Sequence, residues 1–171
     1  MQNWMAFFYL GELEHQCGLF ERAKLWLTHA LARNSAGECW LFLDTLVLAA
    51  GNISKILWPA RSKSKQRGRD LRDMLGVSDD SVLCSRDLRD HLEHFDERLE
   101  RHATENCTVV DSNIGDLTMV SVGNALFLRN YDPRKEEVTF LNETYQLAPL
   151  VSAVCQLRSS IASAQSKLQG R

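Results

Sequence analysis

The stretch from Cys39 to Trp58 is the longest apolar run in the chain, and it constrains the fold more than any other feature. Asp44, Asn52 and Lys55 interrupt it, and Pro59 closes it. The run is too polar to read as a bilayer span, so it reads as a core helix, apolar on most sides as a central bundle helix must be. Ser35 is a candidate N-cap for it, since a serine hydroxyl can accept from an orphan amide of the first turn. Proline restricts the residue before it and has no amide to donate, which sets the end at Trp58. A buried central helix needs neighbours on several sides. A chain of 171 residues is long enough to supply them and bury a core without disulfides or a structural metal.

The neighbours are legible in part. Trp4, Phe7, Phe8 and Leu13 suit a first amphipathic helix, broken near Gly18. Phe20, Ala23, Leu27, Ala30 and Leu31 continue at helical spacing to about Asn34. The tryptophans and Met5 read as core. Arg61, Lys63, Lys65, Arg67 and Arg69 make a basic, serine-containing loop. A short helix, Asp70 to Leu75, follows, with a turn at Gly76. Asp79, Asp80 and Ser81 are candidate caps for a long charged helix containing Arg86 to His102. Val109-Val110 and Thr118 to Val122 then read as short strands. Ala125 to Tyr131 and Glu137 to Leu141 flank Asp132-Pro133-Arg134-Lys135, a good hairpin turn because proline pre-sets the backbone there. A last helix, Leu147 to Leu168, carries Leu150, Val154, Leu157 and Ile161 on one side. The expectation is a mainly α helical bundle, one domain over 1–171, with a β-hairpin region at about 107–142 before the C-terminal helix.

Composition removes several function classes. A net charge of −2 gives no global pull toward nucleic acid or membrane, so any such interaction must rest on local clusters. The five cysteines are scattered without a Cys-x-x-Cys pair, which implies reduced thiols and no disulfide framework or zinc knuckle. The amino terminus lacks the pattern of a secretory leader, and the expected location is cytoplasmic. No cofactor is implied.

The chemistry concentrates on the charged helix. Leu88, Leu92, Phe95 and Leu99 recur at helical spacing as its buried stripe. Steps of about 100° then place Asp87, His91, His94, Arg98 and His102 along one flank, with Arg89 and Asp96 toward the other. Spacings such as Glu97–Arg101 suit surface ion pairs. The segment Arg89-Asp90-His91-Leu92-Glu93-His94 carries an arginine, a polar residue and a histidine in an Arg-x4-His arrangement, and Arg86-Asp87 to His91 fits the spacing equally well. Arg22 and His29 also satisfy the looser form of this pattern.

This arrangement resembles the HEPN superfamily, helical bundles with an Arg-x4–6-His motif, many of which are metal-independent ribonucleases, often toxins or antiviral effectors. The wider pattern of Ala50 to Pro59, Arg89 to Arg98 and Tyr131-Asp132-Pro133 is similar to a bacterial family of about this length. The hairpin departs from a minimal bundle of that kind. The resemblance implies an up-and-down bundle and an endoribonuclease in which Arg89 and His94 are central and His91 assists, with Asp90 of the motif in support. It also implies RNA as a ligand, a homodimer, and a cognate antitoxin protein as a candidate partner. Asn52 and Lys55, polar positions on a mostly apolar helix, read either as a satisfied core group and a snorkelling lysine or as supporting contacts to the charged helix.

In such chemistry a neutral histidine takes the proton of a 2′-hydroxyl, while an arginine fork holds two phosphate oxygens and lowers the histidine's pKa. Residues five apart on a helix stand about 140° apart, so Arg89 and His94 do not converge on one straight helix; the resemblance implies a homodimer cleft at which two helices would bring them together. Lys63, Lys65, Arg67 and Arg69 are the candidates for tracking a phosphate backbone. The alternative is a non-catalytic protein whose charged helix forms a dimer or partner interface. A third reading is a metal site at His91 and His94 with Asp87, echoed by Glu12-x-x-His15 on the first helix.

Overall fold

A computed structural model describes residues 2–87, 90, 93–102, 108–117 and 125–170. Five helices appear in them: α1 (Asn3–Ala32), α2 (Ala36–Leu57), α3 (Lys65–Leu75), α4 (Phe95–His102) and α5 (Ala148–Gln169). Six short strands lie between α4 and α5: β1 (Thr108–Val110), β2 (Asn113–Ile114), β3 (Ala125–Phe127), β4 (Arg129–Asp132), β5 (Glu137–Phe140) and β6 (Glu143–Gln146). The protein is mainly helical, with a small sheet inserted before the C-terminal helix. The expected strand Thr118 to Val122 lies outside the described residues.

The first correction concerns α1. It is one 30-residue helix, unbroken at Gly18. Glycine costs a helix interior about 1 kcal/mol, whereas each large apolar side chain fully buried contributes about 2 kcal/mol. Leu10, Leu13, Cys17, Phe20, Ala23 and Leu27 form an uninterrupted buried stripe that passes Gly18 on the other side of the helix, so burial wins. The opposite side of α1 departs from expectation as well. Trp4, Phe7, Phe8 and Trp26 are exposed, and of the four tryptophans only Trp40 is fully buried.

A three-residue connection, with Asn34 at φ 55, turns the chain so tightly that α2 must return antiparallel along α1. Ser35 precedes α2 as expected, but its hydroxyl makes no capping hydrogen bond. The core is built where α2 contributes Leu43, Leu46, Val47, Ile53 and Leu57, and α5 closes it with Val154, Leu157, Ile161 and Ala164. By length and composition α2 could cross a membrane, yet here more than half of its apolar window is buried among the other helices. Ion pairs of Arg158 with Glu21 and of Lys24 with Glu136 tie α1 to α5 and to the sheet.

The basic stretch is not a loop throughout. A 3₁₀ turn at Ser62–Ser64 leads straight into α3, which begins at Lys65 and not at Asp70. Gly76, at φ 65, ends it with the left-handed C-cap that glycine suits. Gly68 is required for a different reason. A Cβ there would sit 2.5 Å from Pro59 Cδ and 2.6 Å from the carbonyl oxygen of Leu57. The start of α3 therefore crosses the end of α2 at backbone contact.

The sheet runs in the order β2-β4-β5-β6, with β2 parallel to β4 and the other pairs antiparallel, while β1 and β3 form a separate parallel pair. The Asp132–Lys135 turn forms as expected, and Asp132 accepts from the amide of Arg134 at 2.9 Å. The run Ala125 to Tyr131 is two strands, because Leu128 bonds the carbonyl of Val110 and then offers its own to Leu141. Strand β6 lies beyond the expected hairpin. Its reversal is Leu141-Asn142, both at positive φ (47 and 66), a two-residue turn of the I′ kind without the usual glycine. Burial of Leu141 offsets the cost of about 1 kcal/mol for a branched residue in that conformation.

Candidate functional site

The charged segment is fastened before it begins. Ser85 accepts from the amide of Asp87 at 3.3 Å and donates to its carboxylate at 2.9 Å, which makes Ser85 the N-cap. The residues expected to cap it do other work. Ser81 caps the 3₁₀ turn Val82–Cys84, Asp79 pairs with Arg72 at 2.8 Å, and Asp80 accepts from Ser78. The serine two residues before an acidic helix start was the available signal.

Three i→i−4 backbone bonds then run from Arg86 to Arg98: Asp90 to Arg86 at 2.8 Å, His94 to Asp90 at 3.0 Å, and Arg98 to His94 at 3.1 Å. They stack Asp90, His94 and Arg98 on successive turns along one side. The chain makes a turn at His94, and α4 follows from Phe95. His94 is exposed, while Arg98 and Leu99 are half-buried, so the apolar stripe at Leu99 is shallower than its spacing implied. Arg89 and His91 lie outside the described residues, as do Leu88 and Leu92.

Arg86 is committed elsewhere. Its guanidinium donates to Ser54 Oγ at 3.2 Å and to the carbonyl oxygen of Trp58. Ser54 in turn donates to the carbonyl of Cys84 at 3.1 Å. The register Arg86–His91 therefore has its arginine locked into the end of α2. Of the supporting residues, Lys55 reaches the charged segment through an ion pair with Glu93 at 3.2 Å. Asn52 does not. Its amide donates to Gln16 on α1 at 3.3 Å, and Gln16 donates to Glu12 at 2.7 Å, a polar seam between α1 and α2.

Strand β6 supplies a neighbour that sequence reasoning missed. Tyr145 donates to Glu143 at 2.9 Å, and its phenol pKa is pushed well above the ordinary range, first by burial and then by that carboxylate. The charges of Asp87 and Arg98 act on it in opposite directions, the first raising and the second lowering it.

The basic residues divide. Arg67 is half-buried, stacks on Tyr9 with 4.6 Å to the ring centroid, and donates to Tyr9 Oη at 2.9 Å and the carbonyl of Ile56 at 3.3 Å. Such a guanidinium is spent on the fold. Lys63, Lys65 and Arg69 are exposed, although Arg69 also bonds Gln66. Lys65 and Arg69 line a cleft of about 240 Å³ together with Trp58, Pro59 and Arg72. An aromatic ring therefore does stand among the basic residues.

A second cleft, of about 540 Å³, lies between the α1–α2 connection and the sheet, lined by Cys39, Asp116, Asp132 and Arg134 among others. Lys135 spans its two carboxylates at 3.8 and 3.6 Å, and among the described residues none of the expected site residues lines it. Among the described residues no three histidines, cysteines or carboxylates gather as a metal set, and Glu12 is engaged by Gln16. Cys17 and Cys39 are buried thiols, and burial, aided by Glu21, pushes Cys17 to about 12, so it stays protonated. Compared with family models, curated proteins and solved structures, the chain finds no match.

Proposed function

We propose that this chain is a HEPN-like, up-and-down helical protein of the cytoplasm that cleaves RNA without a metal ion, at a cleft completed by a second copy. The observations that carry the reading are that Arg86 is consumed by Ser54 and Trp58, which sets the Arg86–His91 register aside, and that His94 of the other register is exposed. In this reading neutral His94 takes the 2′-hydroxyl proton and the freed oxygen attacks the adjacent phosphorus. Arg89 holds the non-bridging oxygens as charge builds. His91 returns a proton to the departing 5′-oxygen, so the products are a 2′,3′-cyclic phosphate and a 5′-hydroxyl. Lys63, Lys65 and Arg69 hold the flanking phosphates, and Trp58 offers a face for a base. A cognate antitoxin protein would act by covering this surface.

The test is cleavage of a structured RNA in EDTA by the wild type, His94→Ala and Arg89→Ala. The expected outcome is metal-independent cleavage in the wild type and a loss of 10²-fold or more in each variant, the usual scale for a general base or an oxyanion donor. Equal rates in all three would remove the assignment. The second reading is a non-catalytic partner surface on the same segment. The Lys55–Glu93 pair favours it, because it shows charge pairing already at work there. A wild type that shifts RNA or a partner protein without cutting RNA would decide for it.

A further inference from the structure

The outer side of α1 is apolar in a way that the core does not explain. At about 100° per residue, Trp4, Phe7, Phe8, Gly11, His15, Gly18, Arg22, Leu25, Trp26 and His29 all fall within a stripe roughly 120° wide, opposite the buried one. Its large members stand in solvent: Trp4 is 61% exposed, Phe8 69%, Leu25 57%, Trp26 48% and Phe7 47%. They form two clusters. Trp4, Phe7 and Phe8 pack edge to face at the amino end, with both ring pairs 6.3 Å apart. Trp26 sits between His29 at 5.3 Å and Phe42 at 6.3 Å near the carboxyl end. Between the clusters the stripe is small and polar. A Cβ at Gly11 or Gly18 would meet nothing within 4 Å.

We infer that this face of α1 binds the same face of a second copy, antiparallel, about a two-fold axis at His15. Part of the stripe is symmetric about that residue: Trp4 and Trp26 lie equally far from it, as do Phe8 and Arg22, and the two glycines flank it unequally. In a two-fold interface residue i meets residue j of the other copy and j meets i, so each of these two contacts is made twice. Antiparallel pairing places the amino-end cluster of each copy on the carboxyl-end cluster of the other. Phe8 then lies under Arg22 of the other copy, a cation–π arrangement. Gly11 and Gly18 leave open space on either side of His15 for side chains of the other copy.

The area is sufficient. Taking about 200 Å² for a large side chain, the exposed parts of the five apolar residues come to roughly 600 Å² per copy. Two copies then exceed the roughly 1,000 Å² that a specific interface requires. A bilayer is a poorer occupant, because His15 and Arg22 sit in the middle of the stripe. The inference does not rest on the nuclease reading, since α1 carries none of the residues assigned to cleavage.

The test is the mass of the full chain by sedimentation across the micromolar range. Self-association through α1 is expected, as a dimer where this is the sole interface and as a tetramer where the cleft of the cleavage reading also pairs two copies. Gly11→Leu and Gly18→Leu should each weaken it roughly tenfold or more, about 1.4 kcal/mol. Helical circular dichroism should stay unchanged or rise, because a Cβ at either position meets nothing within 4 Å and leucine favours helix over glycine. Phe8→Glu, at an exposed position, repeats the test without touching a glycine. His94→Ala should leave the mass unaltered, which separates this interface from the cleavage site. In a Cys155→Ser chain, His15→Cys should give an oxidised covalent dimer that the parent does not. A monomeric wild type overturns the inference. So does a dimer whose dissociation constant is the same in all three α1 variants, or a monomer that binds anionic vesicles through these residues.

Discussion

The carboxyl end of α2 gathers Arg67, Arg72 and Arg86 onto three successive carbonyls, those of Ile56, Leu57 and Trp58. Lys63, Lys65 and Arg69, drawn from the same basic stretch as Arg67, remain exposed. The first group does what cations do at a helix terminus. The last carbonyls have no partner within the helix, they carry the negative end of its dipole, and Pro59 has no amide to offer them. Arg72 adds a stacking contact over Trp58 at 5.2 Å. The difference teaches that an arginine beside a histidine motif is not thereby available for chemistry. A guanidinium with a buried carbonyl to satisfy is structural, and only those left at the surface can meet a phosphate.

That comparison can be broken at its tightest point. Gly68→Ala puts a methyl group into Pro59 and the Leu57 carbonyl. It should cost about 3 kcal/mol, at the upper end for overpacking, because backbone and a proline ring cannot move aside. Urea unfolding checks this, and a midpoint unchanged within error would show that α3 does not need its close approach to α2.

Arg86→Met keeps the length of the side chain and removes its donors. It should cost about 2 kcal/mol, the loss expected when a charge-assisted bond to a partly buried carbonyl goes. At temperatures where the variant stays folded, RNA cleavage should continue near the wild-type rate. Cleavage abolished in a folded Arg86→Met chain would return Arg86 to the site and undo the division drawn above.

The smallest effect belongs to the bridge between the two regions. Lys55→Ala removes an exposed ion pair with Glu93, and its cost should stay below about 0.5 kcal/mol and shrink with added salt. A larger loss, independent of salt, would mean that Lys55 positions the charged segment instead of decorating it.

Much of this division was legible in advance, and the failures have physical causes. The apolar run before Pro59 identified α2, and the spacing of Val154, Leu157 and Ile161 identified α5. The Asp132–Lys135 turn was equally plain. Gly18 misled because glycine lowers helix propensity locally, while the stripe that overrides it is built by α2 and α5 from far along the chain. Strand β6 was missed because Leu141-Asn142 lacks a turn signature, its left-handed leucine being tolerated only because the leucine is buried. At the candidate site, the flank bearing His94 and Arg98 followed from periodicity. The loss of Arg86, the diversion of Asn52 and the proximity of Tyr145 did not, since each depends on an element distant in sequence.

What the sequence determined by itself is therefore the local order: which segments wind into helices, and where Pro59 and Gly76 stop them. Those follow from period, caps and backbone restriction over a few residues. The tertiary structure alone decided which charges are consumed. Whether an arginine meets a carbonyl, a ring or water depends on what the rest of the chain brings beside it. The same holds for the aromatic side of α1, whose periodicity matches a buried stripe while its rings stand exposed. Periodicity reports that a face is apolar, and packing decides whether anything in the same chain covers it.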